Sequence, residues 1–503
     1  MSLVKRLHRL AKKVPNWLVV VLAIVLVLRI PSFFEPFSYG DEMIYLSLGE
    51  AVRRPDVVLY RDIHDNKPPL LYIFAGIAGN VFWFRVILAF WSLGTIVVFW
   101  KLITLLFPKF TSYKKDKFYK IATWIFAIFT TIPLLEGNIA NSEIFMVGPT
   151  MLAFYLLLKS TKIQSDKHKN VILAGIFFAI ATLFKVPAAF DLPVIVVYWL
   201  VTTKKIDKKS LVKIFKKSFY LFLGFAIPLV ATFAWYYFAG ALREYVVAAY
   251  LQNIGYLSSF RPGDVREPFF VRNAPLLFRA GIVTTGILLL YLSKKKLSKQ
   301  FVFLSIWLLF SLFAIALSER PYPHYFIQAL PTVSIFLAIL FSFKNLEQSL
   351  VVIPLALAFF VPFYFKFWTY PVTSYYVRFF EFATGKINKE QYFDKFDGSV
   401  NRNYKIAEFV ETTSASKDLF VWGNSSAIYA LTRKLPPIKY VADYHISDFS
   451  NKKDVAHSLE ENPPETIIVL PNSDSFPELS ELLVSKYFLI TIVDQASVWK
   501  LIN

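Results

Sequence analysis

Along the first 367 residues, long apolar runs alternate with short polar gaps. The runs last about 17–25 residues, the length at which a helix crosses the hydrocarbon core of a bilayer. About eleven can be placed by that criterion. They centre near Leu22, Leu93, Phe126, Ala153, Ile176, Ile195, Phe225, Ile287, Leu309, Val333 and Ala358. From Trp368 the pattern changes: charged residues return and long apolar runs stop. Asp418–Trp422 and Thr466–Leu470 are short apolar runs between turn residues, which predicts strands. Lys453–Glu461 and Phe476–Lys486 carry helical spacing, and Tyr487–Val493 and Ser497–Ile502 read as closing strands. The expectation is an α-helical polytopic membrane module over residues 1–367 and a small soluble α/β domain over 368–503.

Composition agrees. The 503 residues are 56% hydrophobic and 18% aromatic, above the roughly 45–50% apolar content of soluble domains. The net charge of +20 would suggest nucleic acid in a soluble protein. Here Lys and Arg fall at 5–13, 109–120, 159–169, 204–217 and 294–299, in alternate gaps between the apolar runs. That is the positive-inside pattern of a multi-pass protein of the cell membrane, in contact with bilayer headgroups, with no nucleic-acid partner. It puts the N-terminus in the cytoplasm. The gaps Asp41–Lys67, Glu136–Glu143, Lys185–Asp191, Leu242–Arg272 and Ser318–His324, with the tail, fall on the other side. The basic stretch Lys5, Arg6, Arg9, Lys12, Lys13 precedes a first span that is retained, because Arg29, Pro31, Phe33 and Phe34 follow it instead of a small-residue cleavage site. No cysteine occurs, so disulfide and thiolate chemistry are excluded.

The first outer loop, Tyr39–Tyr72, concentrates polar chemistry between two spans. Asp41 and Glu42 follow Gly40 and open a helical stretch to Arg53, on which Ile44, Leu48, Ala51 and Val52 can share one face. A carboxylate at a helix N-terminus is favoured in its ionised form and can serve as a general base; plain helix capping is the competing explanation. Asp62, His64, Asp65 and Lys67 precede Pro68 and Pro69, after which Leu70–Phe82 reads as an apolar helix. A lysine at that boundary can meet a lipid phosphate or simply snorkel to the surface. Glu143, after Asn141 and Ser142, either caps its helix or adds a second acid. Arg320, Tyr322, His324, Tyr325 and, one turn deeper, Gln328 place donors suited to a phosphate beside the membrane. An interfacial aromatic belt accounts for the tyrosines alone. Lys185 opens a similar turn, and Arg243, Arg261, Arg266 and Arg272 lie in the fourth outer loop.

The order Gly40-Asp41-Glu42 with Tyr45, then Tyr60-Arg61-Asp62, then Asp65, Lys67-Pro68-Pro69-Leu70 and Tyr72, resembles the GT-C glycosyltransferases of the protein O-mannosyltransferase and aminoarabinose transferase branches. Arg320-Pro321-Tyr322-Pro323-His324-Tyr325-Phe326 with Gln328 and Pro331 is similar to a later motif of the bacterial members. Phe420-Val421-Trp422-Gly423-Asn424 with Tyr429 is similar to the start of their soluble domain. The resemblance implies a polyprenyl-phosphate-linked sugar donor and an extracytoplasmic acceptor that is a lipid, a glycan or a protein. It implies Asp41 as catalytic base or acceptor-orienting group, Glu42 as its adjacent acid, Glu143 as the second-loop acid, and inversion at the anomeric carbon. Lys67 would meet the donor phosphate. Arg61, His64, Lys185, Arg320, Tyr322, His324, Tyr325 and Gln328 are the further candidates for phosphate or lipid contact. A divalent metal stays open, with Asp41, Glu42 and Glu143 as its only apparent ligands. Two other readings are a lipid-linked sugar flippase or other transporter, and a receptor or scaffold working through its tail.

Overall fold

The computed structural model describes residues 14–108, 112–162, 167–255, 268–416 and 418–502. The basic N-terminal residues Lys5 to Lys13, and Arg261 and Arg266, lie outside the described residues. Each expected apolar run falls on a helix, but the helices are not eleven of a kind. Seven among the described residues are long and apolar enough to cross a membrane: Asn16–Phe34, Val81–Leu106, Ser142–Ser160, Lys208–Phe238, Ala274–Ser293, Lys299–Ala316 and Leu346–Tyr364. His168–Phe184, Val186–Thr202 and Leu330–Ser342 are apolar but shorter. The cause is local. Pro187 and Pro193 open one of these stretches, and Pro323 and Pro331 precede and open another, so that each begins as a 3-10 turn, Val186–Asp191 or Pro323–Gln328. Ser112–Phe129 is helical but starts in charged residues. The apolar stretch expected over Leu70–Phe82 is also broken. Its helix ends at Ala78, because Gly79 turns left-handed at φ 71°, and the next begins at Val81.

The chain forms two compact units. The first comprises Met1–Ile30, Leu88–Thr232 and Asn253–Val372. Within it the helices Lys167–Phe184 and Lys208–Phe238 touch backbone to backbone. A Cβ on Gly175 would stand 2.1 Å from the Leu221 carbonyl oxygen, and one on Gly224 would stand 2.0 Å from that of Ile172. Small residues at a crossing permit such an approach between apolar helices.

The second unit joins Pro31–Ile87 and Phe233–Gln252 to the tail, Thr373–Asn503. The tail sheet has strands β1 (Phe420–Trp422), β2 (Thr466–Val469), β3 (Tyr487–Val493) and β4 (Ala496–Leu501) in the order β1-β2-β4-β3. β1 and β2 run parallel; β4 is antiparallel to both β2 and β3. The β3–β4 hairpin turns on Asp494 and Gln495, both at positive φ, as the twist of a two-residue hairpin turn requires. Phe420, Trp422, Ile467, Leu459, Leu479 and Leu482 share the tail's core. The buried Tyr429 hydroxyl accepts from the Val421 amide at 2.7 Å, tying the helix Ala427–Thr432 to β1. That helix packs against Gly40–Arg53, and the Ser47 hydroxyl donates to the Ser426 carbonyl at 3.4 Å. Gly40–Arg53 is itself pressed against Leu70–Ala78, where a Cβ on Gly49 would stand 2.6 Å from the Gly76 nitrogen. It is buried almost all round; Ile44, Leu48 and Ala51 are buried, whereas Val52, expected to share their face, is exposed.

The crossing at Gly224 gives a direct check. Gly224→Ala forces apart two packed backbones, which typically costs about 1–3 kcal/mol, so thermal unfolding in detergent should shift downward. Gly94→Ala, with nothing within 4 Å, should leave the midpoint unchanged or slightly raised.

Candidate active site

Gly40–Arg53 places Asp41 and Glu42 in its first turn. Successive helical residues point about 100° apart, and the two acids meet opposite fates. Glu42 turns inward. Its carboxylate is gripped by Arg85, with Nε to Oε1 at 3.2 Å and Nη2 to Oε2 at 2.5 Å. Arg85 Nη1 donates to the carbonyls of Ser32 at 2.8 Å and Glu35 at 2.9 Å. Both charged side chains are essentially without solvent contact.

Asp41 turns outward and keeps 38% of its side chain exposed, against 1% for Glu42. Its Oδ2 accepts from the Tyr45 hydroxyl at 2.8 Å, one helical turn on, and lies 3.9 Å from Lys67 Nζ. Oδ1 has no hydrogen-bond partner among the described residues. Lys67 stands between two carboxylates, 3.8 Å from Asp65 Oδ2 as well, and 4.9 Å over the Tyr45 ring. Asp65 is buried and fixed by the Tyr72 hydroxyl at 2.6 Å and the Asn66 amide at 2.7 Å. Burial opposes its ionisation, but Lys67, His445 and those hydrogen bonds prevail, so its carboxyl lies below the usual carboxylate range. Tyr60 holds the Lys67 backbone by donating to its carbonyl at 2.7 Å. Tyr60 does so at φ 75°, a strained conformation for a bulky residue that the surrounding packing must enforce. Tyr236 and Tyr245, each with its ring 5.2 Å away, supply that packing.

The other polar residues of the loop are placed differently from the expectation. Arg61 forks onto Asp62, with Nε and Nη2 each 2.8 Å from a carboxylate oxygen, and reaches the Ala239 carbonyl at 3.2 Å. His64 packs against Phe449 at 4.8 Å and Tyr440 at 5.6 Å, and its amide donates to the Lys439 carbonyl at 2.7 Å. Burial, only partly offset by Asp65, pushes the His64 pKa down to about 4. It is a neutral ring at pH 7 and no cation for a phosphate. His445, 3.9 Å from Asp65, is lowered in the same direction by its own burial.

In the first unit, Glu143, at the start of Ser142–Lys162, is buried and paired with Lys185, whose ammonium also sits 3.9 Å over the Tyr325 ring. His324 lies between two acids, with Nδ1 2.5 Å from Glu136 Oε2 and Nε2 3.6 Å from Glu143 Oε1. Tyr322 stacks on His324 and meets Trp368 edge-on. Gln328 bonds the Pro187 carbonyl at 3.1 Å and Asp191 at 3.2 Å, cross-linking two turns. Arg320 is exposed. Glu143, Lys185, His324 and Tyr325 therefore do come together, as a buried ion cluster. Glu136, absent from the sequence-derived candidates, is its second acid. It is fully buried at φ 56° and takes hydrogen bonds from Asn141 and Trp368 as well. In neither unit do three His, Asp or Glu side chains among the described residues gather as a metal ion would require.

Comparison with solved structures adds one finding. ArnT from Cupriavidus metallidurans bound to undecaprenyl phosphate aligns over 96% of this chain and 98% of its own, at 14% identity and a TM-score of 0.55. Its apo state aligns over 96% and 97%, at 15% identity and 0.53. The fold is that of ArnT. At these identities the likeness is one of fold, and it runs over nearly the whole chain. No protein-family model and no curated protein matches the sequence.

Arg85, Glu136, Tyr45, Tyr72 and His445 were missed as partners. Tyr45 and Tyr72 stood in the first-loop motif without an assigned role, and Arg85 carried a signal of its own, a lone charge inside an apolar run, which marks a residue with a partner.

The buried His64 gives a pH dependence of defined sign. An unfolded histidine takes up a proton below about pH 6.5, whereas folded His64 does so only near pH 4. Its neutral burial therefore costs nothing above pH 6.5 and removes up to about 3 kcal/mol of stability as pH falls toward 4. The unfolding midpoint should drop over that window and drop less steeply in His64→Phe. An identical slope in the two proteins would remove the assignment.

Proposed function

We propose that this chain is an integral membrane glycosyltransferase that moves a sugar from a polyprenyl-phosphate-linked donor to an extracytoplasmic acceptor. The observation that carries the reading is the half-exposed carboxylate of Asp41, held through one oxygen by Tyr45 and faced by Lys67, on a fold shared with ArnT. Of the three acids named from the sequence, Asp41 alone keeps appreciable exposure; Glu42 and Glu143 are committed to Arg85 and Lys185.

In this reading the acceptor hydroxyl or amine approaches the free Oδ1 of Asp41. Oδ1 takes its proton as the acceptor atom bonds to the anomeric carbon, and the bond from that carbon to the phosphate oxygen breaks. The departing phosphate carries the electron pair, and a single displacement inverts the anomeric configuration. A carboxylate fixed in place by Tyr45 needs no reorganisation as the proton moves, which is where preorganisation lowers a barrier. Lys67 meets the negative charge of the donor phosphate. The alternating basic gaps support a cytoplasmic N-terminus and a tail on the reaction side.

Sugar transfer from a purified polyprenyl-phosphate sugar by protein in defined lipid tests the reading. Asp41→Asn keeps size and loses charge, and should lower transfer at least about 10²-fold, the lower end for a general base. Lys67→Ala should weaken donor use by about 1.5–3 kcal/mol, the range for a charge-assisted hydrogen bond. Transfer near the wild-type level in Asp41→Asn, with folding intact, would remove Asp41 as the base, and no transfer by the wild type would count against the transferase.

A further inference from the structure

A groove of about 420 Å³ opens in the second unit, between the first loop and the tail. One wall is the Arg61–Asp62 pair, preset by its fork and by the Val58 amide donating to Asp62 at 2.7 Å. The facing wall is Lys439 and Tyr440 with Asp454 and Ser458 of the helix Lys452–Glu461. The two walls are pinned together, because the His64 amide donates to the Lys439 carbonyl and the His64 ring meets Tyr440 edge-on.

The chemistry of the lining narrows the ligand. Each wall carries one cation and one carboxylate, so the groove has no net charge to draw a phosphate or an acidic polymer, and Arg61 is already spent on Asp62. Hydroxyls, carboxylates and an ammonium line much of it, which disfavours an acyl chain. Carboxylates that accept from hydroxyls, donors that reach ring and hydroxyl oxygens, and one aromatic face are what a sugar ring can use. The groove shares the first loop with the candidate active site, Arg61 and Asp62 lining the one and Lys67 belonging to the other. Asp62 and Lys67 are five residues apart, at most about 18 Å along an extended chain.

We propose that this groove is the acceptor subsite of the transferase, and that it takes a neutral, hydroxyl-rich glycan. This rests on the function proposed above and adds the class of acceptor.

The test uses the full-length protein in lipid nanodiscs on an array of neutral and acidic oligosaccharides, beside Ser458→Trp, which fills the groove, and Asp454→Ala, which removes a hydroxyl acceptor. Neutral glycans should be retained by the wild type and at least tenfold more weakly by both variants. Retention of no glycan, equal retention by all three proteins, or preference for acidic glycans overturns the assignment. If Ser458→Trp does not fold, protection of Lys439 from acetylation by the retained glycan gives the same answer, and absence of protection refutes it. Consumption of the polyprenyl-phosphate sugar in the same preparations separates the two claims. Donor turnover without glycan binding leaves the transferase standing and removes the groove. Glycan binding without any donor turnover leaves a saccharide site and removes the transferase.

Discussion

The buried pair of Arg85 and Glu42 is the constraint on which the rest of the candidate site depends. Arg85 also binds the carbonyls of Ser32 and Glu35, so one guanidinium gathers the end of the first helix, the turn after it and the start of Gly40–Arg53. Such a pair adds little net stability over an apolar substitute. Removing one partner, however, strands a charge in the interior at a cost of about 3–5 kcal/mol. Its effect is therefore directional. With Glu42 fixed inward, the helix can rotate no further, and its neighbour Asp41 must face out.

From that orientation the remaining geometry follows in short steps. Tyr45, one turn along, is on the same side as Asp41 and takes one of its oxygens. Lys67 is delivered to the pair by a loop held at both ends, by Tyr60 on its backbone and by the buried Asp65 on its charge. The strained backbone of Tyr60 and the close contact of Gly49 with Gly76 are local costs offset by the packing of the second unit around them. The tail takes part in this support. His445 stands against Asp65, and Ala427–Thr432 against the helix that carries Asp41.

Much of this was legible in the sequence, because it is written locally. The loop Tyr39–Tyr72 stands out as polar residues between apolar runs. The four tail strands follow from short apolar runs between turn residues, to within about one residue of their observed ends, apart from β1, which begins at Phe420 and not at Asp418. What was not legible depends on distant pairings. Glu42 was expected as the adjacent acid of the site, and its burial was not foreseen because the arginine that binds it lies 43 positions away. His64 looked like a phosphate ligand, because nothing in the loop announces the aromatic side chains of the tail around it. Glu136 went unnoticed because a lone glutamate in a short turn carries no pattern until His324 closes on it. Helix length was not legible where proline converts the start of an apolar run into a 3-10 turn.

The most direct test of the division of labour between the two acids is chemical rescue of sugar transfer. Asp41→Ala leaves a space at the exposed carboxylate, and added formate should restore transfer in a concentration-dependent way. Glu42→Ala should gain nothing from formate, because its loss disturbs a buried structure, not a reacting proton. Rescue of Glu42→Ala instead, or full transfer by Asp41→Ala without formate, would contradict the account.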